Sequence, residues 1–149
     1  MVSLRETDST QIGRPAAGVV LIEGDRVLLV KHGPKAATKT GMIGIPGGRV
    51  RPSETTQEAA KREFKEETGL TLKGLREYPH NIYRKSVERG FGQKLYEIIV
   101  FIADEYEGEL KKTEETEPIW VKIPALEKRR KLLPSVTEII TDVLKYNKQ

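Results

Sequence analysis

Cysteine is absent from the 149 residues, which excludes a disulfide framework, a thiolate metal site and a cysteine nucleophile, and makes a reducing, cytoplasmic compartment the expectation. No apolar run approaches the length of a membrane span, and the polar stretch from Met1 to Gly13 lacks the apolar core of a signal peptide. A chain without membrane contact is therefore expected, with residues 1–13 as a flexible N-terminus. Neither repeats nor a low-complexity linker divide the sequence, and its length suits one domain, 1–149, able to bury a core unaided. Charge of one sign is also scarce in excess. The net +4 from 26 basic and 22 acidic residues favours anionic ligands without demanding nucleic acid.

What the chain does have is a clear succession of elements. Pro15 to Ile22, the turn Glu23-Gly24-Asp25 and Val27 to Val30 read as a hairpin of two buried strands. A Gly/Pro/Lys/Thr-rich loop from His32 to Gly41, a short apolar piece from Met42 to Ile45 and a tight Pro46-Gly47-Gly48 turn follow. A long helix starts at Thr55, with Glu58 three residues on in a capping-box pattern, and ends at Gly69. Leu70 to Tyr83 reads as an irregular strand, then a polar loop, then a buried strand over Leu95 to Ile102 ending near Asp104. The acidic stretch from Glu105 to Glu117 reads as an exposed loop before Pro118-Ile119-Trp120-Val121. A last helix after Pro134 carries Val136, Ile139, Ile140, Val143 and Leu144 at helical spacing. Strands around one carboxylate-bearing helix, with a second helix packing at the end, predict a mixed α/β fold whose sheet is covered on both faces.

The chemistry is concentrated in that first helix. At about 100° per residue, Glu63, Glu66 and Glu67 fall within one arc, with Ala60 and Phe64 on an adjoining apolar stripe. Like charges at these spacings cost a bare helix a few tenths of a kcal/mol per pair. A divalent cation would offset that, because clustered carboxylate oxygens are the hard ligands Mg²⁺ or Mn²⁺ prefer, and Mg²⁺ commonly shares its shell with substrate phosphates. The bland alternative is a solvated face on which Lys61, Arg62 and Lys65 balance the acids.

The residues around the helix favour the metal. Gly48, five residues, Glu54, seven residues, Arg62-Glu63-Phe64, any residue, Glu66-Glu67, any residue, Gly69-Leu70 resembles the Nudix box at every defined position. The resemblance implies an α/β/α sandwich with a mixed β-sheet and a loop-helix-loop catalytic motif. It puts Glu63, Glu66 and Glu67, with the Gly47 carbonyl, at the metal-ligand positions. Glu54 and Arg62 occupy the places that orient those carboxylates and hold the loop, and Gly48 the place where the turn needs a small residue. A divalent ion there would screen a diphosphate and activate water for in-line attack. For the general base the resemblance points to the acidic loop, with Glu114 first, six residues before Trp120, and Glu115 and Glu117 as competitors.

Weaker signals surround this one. Lys31 and His32, at the end of the second strand, are candidates to face substrate phosphates by resemblance. His80 has no partner at ligand spacing and reads as structural or exposed. Trp120 reads as core, as do Tyr78, Tyr83 and Tyr96 despite their suitability for a base-binding wall. Lys128-Arg129-Arg130-Lys131 is a dense basic run that could reach phosphates or RNA, but runs this short are usually solvated helix faces.

The substrate expected from the resemblance is a small nucleotide, most simply a nucleoside or deoxynucleoside triphosphate cut to the monophosphate and pyrophosphate. ADP-ribose or another nucleotide sugar is the second reading, although the proline typical of ADP-ribose-cleaving members is replaced here by Arg84-Lys85-Ser86. The tyrosine of dinucleoside-polyphosphate members is likewise missing at Val87-Glu88. An acidic pair for reading an oxidised purine has no counterpart between Ala125 and Val136. Sensor or RNA-binding members of the family typically lose box carboxylates, and all are kept here. A homodimer is compatible with the resemblance, though no residue marks one.

Overall fold

The structure, a computed structural model, describes residues 11–12, 14–34, 40–79, 83–89 and 92–148; His80 and the proposed flexible N-terminal residues 1–10 and 13 lie outside them. Among the described residues the elements are ten strands and two α-helices: β1 Gln11–Ile12, β2 Ala16–Val20, β3 Ile22–Glu23, β4 Arg26–His32, β5 Ile43–Gly44, β6 Gly47–Arg49, α1 Thr56–Thr68, β7 Thr71–Glu77, β8 Tyr83–Arg89, β9 Gly92–Glu107, β10 Thr116–Lys122 and α2 Val136–Asn147. A short 3₁₀ turn, Ile123–Lys128, precedes the last helix.

The 16-residue β9 organises a six-stranded mixed sheet. β1 and β2 run parallel to it, β7 and β8 antiparallel, and β6 closes the far edge against β2. A second, antiparallel sheet has β4 at its centre, paired with β10, β3 and β5. Alternation along β2 sends Ala17 and Val19 to the core under α1, with Leu21 continuing that face, whereas Val20 joins Val27, Leu29 and Val100 in the core under α2. Both faces are thus buried by helices, as the near-continuous apolar strands require.

Helix α1 starts where expected. Thr55 Oγ1 accepts the Glu58 N–H at 3.1 Å and Glu58 Oε1 accepts the Thr55 N–H at 2.8 Å, a capping box of the kind in which loss of the cap costs about 1 kcal/mol. Ala59, Ala60 and Phe64 are fully buried, and burial of Phe64 contributes on the order of 2–3 kcal/mol. The helix stops at Gly69, whose φ of 87° is left-handed and whose position no Cβ could share with the Glu109 carbonyl 2.7 Å away. Helix α2 buries Val136, Ile139, Ile140 and Val143, the stripe its spacing predicts.

Several element assignments made from sequence are corrected. Pro15 to Val30 is not a single hairpin: β2 enters the mixed sheet and only Ile22–Glu23 folds back on β4, because β2 finds its partners in β9 and β6, far along the chain. The polar loop expected after Tyr83 is the antiparallel pair β8–β9, since a main-chain ladder satisfies the backbone whatever the side chains are. β9 continues past Asp104 to Glu107 and β10 starts at Thr116, which shortens the acidic loop to residues 108–115. Gly47–Gly48 is not a tight turn but part of β6, held against Gly18 and Ala17 so closely that a Cβ on Gly47 would stand 2.3 Å from the Ala17 carbonyl oxygen. The basic run is not a helix face: Lys128 ends the 3₁₀ turn and Arg129 to Lys131 lie in irregular chain.

Candidate functional site

α1 lays its polar edge along β6, and the glycines of that strand are what let the carboxylates come close. A Cβ on Gly48 would stand 2.5–2.7 Å from the carboxylate atoms of Glu63. Gly47 donates its N–H to Glu67 Oε1 at 2.9 Å. One strand of small residues therefore seats two carboxylates from successive turns of one helix.

Arg62 ties this helix to the preceding loop. Its Nε and Nη2 donate to the two carboxylate oxygens of Glu54 at 2.6 and 2.8 Å, a bidentate pairing, and Nη2 also reaches the Arg49 carbonyl at 3.1 Å. Nη1 donates to Glu63 at 2.8 Å and to Glu66 at 3.3 Å. The Glu63 side chain is 16% exposed and that of Glu66 51%, so Glu63 is the inner member of the pair and Glu66 the solvent-side one. Hydrogen bonds from Arg62, and then from the Arg51 N–H, lower the Glu54 carboxyl from 4.5 to about 2. Glu54, followed by Glu63, raises the Arg62 guanidinium above its ordinary value. Both members of the tie are charged at any working pH.

Among the described residues no group of three acidic or histidine side chains converges closely enough to hold an ion as it stands. The donors nonetheless suit a hard cation. They are carboxylate oxygens on neighbouring helix positions, one of them filling the space where a Cβ on Gly48 would be, with Arg62 donating to Glu63 and Glu66.

The acidic loop is fastened beside the same helix end. Thr113 Oγ1 accepts the N–H groups of Glu115 and Thr116 at 3.2 and 3.0 Å, closing a turn over Glu114. Thr116 is buried and donates its hydroxyl to the Glu67 carbonyl at 3.2 Å. On the other side Gly33 donates its N–H to the Glu115 carbonyl at 2.7 Å, and a Cβ on Gly33 would meet the Glu114 carbonyl oxygen at 2.5 Å. Glu114 and Glu115 are exposed, while Glu117 stands across the ladder from Lys31 and 3.9 Å from the Lys112 ammonium. Lys31 is exposed and His32, paired in register with Thr116, is half-buried at the end of β4. Thr116, paired with His32 and bonded to the Glu67 carbonyl, thus joins the end of β4 and the acidic loop to the C-terminal end of α1. Sequence reading missed Thr113, Thr116 and Gly33; only the Thr-Glu-Glu-Thr spacing, a common side-chain-capped turn, could have flagged the first two.

Trp120, half-buried, packs on the core under α1 with the Arg26 guanidinium 4.1 Å over its ring. Tyr78 is core, edge-on to Tyr146 at 5.4 Å.

A family model described as the NUDIX domain matches residues 13–143. The chain belongs to the Nudix family. Among curated relatives, the oxidized purine nucleoside triphosphate hydrolase of Danio rerio is 36% identical over 107 residues, which cover 70% of this chain and 64% of that protein. The ADP-ribose pyrophosphatase of Methanocaldococcus jannaschii is 36% identical over 104 residues, 65% of this chain and 55% of that one. This Nudix chain therefore spans less than two thirds of the length of either relative. The crystal structure of a MutT Nudix hydrolase from Burkholderia pseudomallei superimposes with a TM-score of 0.70 at 25% identity, covering 85% of this chain and 93% of that one. A MutT protein from Methanosarcina mazei Go1 gives a TM-score of 0.72 at 24% identity over 95% and 99% of the two chains, a likeness of fold. Nudix hydrolases generally use divalent metals. Among the described residues no helix is long and apolar enough to cross a membrane.

Proposed function

We propose that this chain hydrolyses a phosphoanhydride bond in a nucleoside-diphosphate-linked substrate with Mg²⁺ as cofactor and Mn²⁺ as a substitute, and that its best substrate is a nucleoside or deoxynucleoside triphosphate, cut to monophosphate and pyrophosphate. The observation that carries this reading is the seating of Glu63 and Glu67 on the side-chain-free edge of Gly48 and Gly47, with Glu66 beside them and Arg62 joining the set to the loop. Glu63, Glu66, Glu67 and the Gly47 carbonyl would hold the ion, which when bound supplies charge screening for the diphosphate and a more acidic water.

The remaining work falls to the protein. Arg62 and Glu54 keep the helix carboxylates at a fixed distance from the loop, an orienting role. Glu114, held over the Thr113 turn, takes the proton of the attacking water; Glu115 is the substitute if Glu114 is dispensable. Lys31 and His32 hold substrate phosphate from the end of β4. The second reading, an ADP-ribose or other nucleotide-sugar pyrophosphatase, is favoured by the resemblance to the Methanocaldococcus enzyme.

A panel of nucleoside triphosphates, 8-oxo-dGTP, ADP-ribose and dinucleoside polyphosphates, ranked by kcat/KM with Mg²⁺, tests the choice. A triphosphate should lead and release pyrophosphate. Preference for ADP-ribose by tenfold or more would install the second reading, and no turnover of any member would remove the hydrolase reading.

A further inference from the structure

The run Lys128-Arg129-Arg130-Lys131 is absorbed by nothing described so far, yet the fold carries it to the rim of the site. Main-chain bonds fix it there on both sides of Ile43: the Ile43 N–H donates to the Lys131 carbonyl at 2.8 Å and the Leu133 N–H to the Ile43 carbonyl at 2.7 Å, with Leu132 bridged in parallel to Ile43. Ile43 is itself paired with Lys31, so the run is laid along β5 on the side away from β4. Leu133 anchors it further, its Cδ1 lying 2.7 Å from where a Cβ on Gly44 would be. From Ile43 to Gly47 the chain can span at most about 14 Å, which places the run within the reach of one extended nucleotide from the carboxylates.

Three features separate this run from an ordinary solvated surface. All four side chains are exposed, and among the described residues none pairs with an acid, a condition that single cations such as Lys61 and Lys111 share but that here holds for four in succession. Lys131 holds a φ of 64°, left-handed for a residue with a side chain, so the segment is kept in one shape by its bonds to Ile43 rather than by preference. The Lys131 ammonium, finally, lies 3.8 Å from where a Cβ on Gly41 would stand, and Gly41 donates its N–H to the His32 carbonyl at 2.7 Å. The run therefore points at least one cation toward the loop that closes on His32.

We propose that Lys128 to Lys131 form a second anion subsite, which binds a phosphate group of the substrate other than the two joined by the bond that is cut. This deepens the nucleotide reading and rests on it for the identity of the substrate. The shared ligand chemistry is a phosphate mono- or diester, supplied either by a longer 5′ phosphate chain or by a ribose phosphate.

Equilibrium binding tests it without requiring turnover. Affinities would be measured by calorimetry, with Ca²⁺ as a cation that slows hydrolysis, for adenosine 5′-diphosphate, 5′-triphosphate and 5′-tetraphosphate and for adenosine 3′-phosphate 5′-diphosphate. The wild-type protein would be set against Arg129→Gln/Arg130→Gln and Lys131→Asn, the last chosen because asparagine accepts a left-handed φ. The proposal expects at least one extra phosphate to tighten wild-type binding about tenfold over the diphosphate, and the variants to lose most of that gain while binding the diphosphate within twofold of wild type. Gain from the chain phosphates or from the 3′-phosphate tells which source fits. Equal affinities across the panel, or a gain that survives in both variants, would overturn it. So would a gain seen only with 5′-phosphorylated oligoribonucleotides and growing with their length, because that would make the run an RNA track. Retained discrimination in a protein that hydrolyses none of the panel would leave the subsite standing and remove the hydrolase reading alone.

Discussion

Replacing Gly48 by alanine is the smallest perturbation that should disable the site. The backbone there has no positive φ, so the substitution is a question of space. A Cβ would stand 2.5 Å from the Glu63 carboxyl carbon and 2.6 and 2.7 Å from its oxygens. Ordinary contacts settle at about 3.5–4.0 Å, so the carboxylate must retreat by about 1 Å. Glu63 is also held by Arg62 at 2.8 Å, and a retreat that large breaks or redirects that bond. Misplacement of a reacting constellation by about 1 Å costs on the order of a hundredfold in rate, or about 2.7 kcal/mol of transition-state stabilisation. Stability should change little, because Gly→Ala at a compatible backbone contributes about 0.4–1 kcal/mol through the unfolded chain, against one weakened ion pair. The assay is Mg²⁺-dependent pyrophosphate release from a nucleoside triphosphate, alongside thermal unfolding. Turnover within threefold of wild type in a normally folded variant would refute the packing argument.

Two further expectations follow from the ties around the helix. A Glu54 carboxyl held at about 2 against an ordinary 4.5 binds its proton less readily in the folded chain than in the unfolded one. It therefore adds stability above about pH 4.5 that is lost as the pH falls toward 2, and Glu54→Gln should narrow its melting-temperature gap to wild type over that window, a gap that stays constant if the pairing with Arg62 is idle. Thr116→Val removes the hydroxyl that the Glu67 carbonyl accepts, with loss of about 1 kcal/mol, about 3 °C in melting temperature, and a fall in kcat on the order of tenfold with KM little changed. Thr116→Ser should restore both; if valine leaves kcat untouched, the acidic loop does not need its fastening to the helix.

Local rules made the helix legible, and pairing at a distance hid much of the sheet. Thr55, Glu58 and Gly69 announced both ends of α1, and Ala60 and Phe64 its buried stripe, because capping and periodicity act within a few residues. β2 offered no sign that it would leave Ile22 behind and pair with Ile98 to Ile102, since its residues are apolar on both faces and suit several partners. The polar residues of β8 read as loop because side-chain polarity does not report the main-chain ladder they form with β9. At the site, residue types and spacing gave Glu63, Glu66 and Glu67, but the small residues that seat them and the threonines that fasten the acidic loop depend on contacts spanning 20 and 49 positions. The basic run was misplaced on a helix because its backbone partner, Ile43, lies far upstream.

The central claim is that Glu63 and Glu67 hold a divalent ion for phosphoanhydride cleavage. Its most direct test is Mg²⁺-dependent hydrolysis by Glu63→Gln and Glu67→Gln, with Mn²⁺ binding followed by electron paramagnetic resonance. Turnover should fall by at least a thousandfold in each, with weakened Mn²⁺ binding and unchanged unfolding temperature. Wild-type turnover and wild-type Mn²⁺ affinity in both would contradict the account.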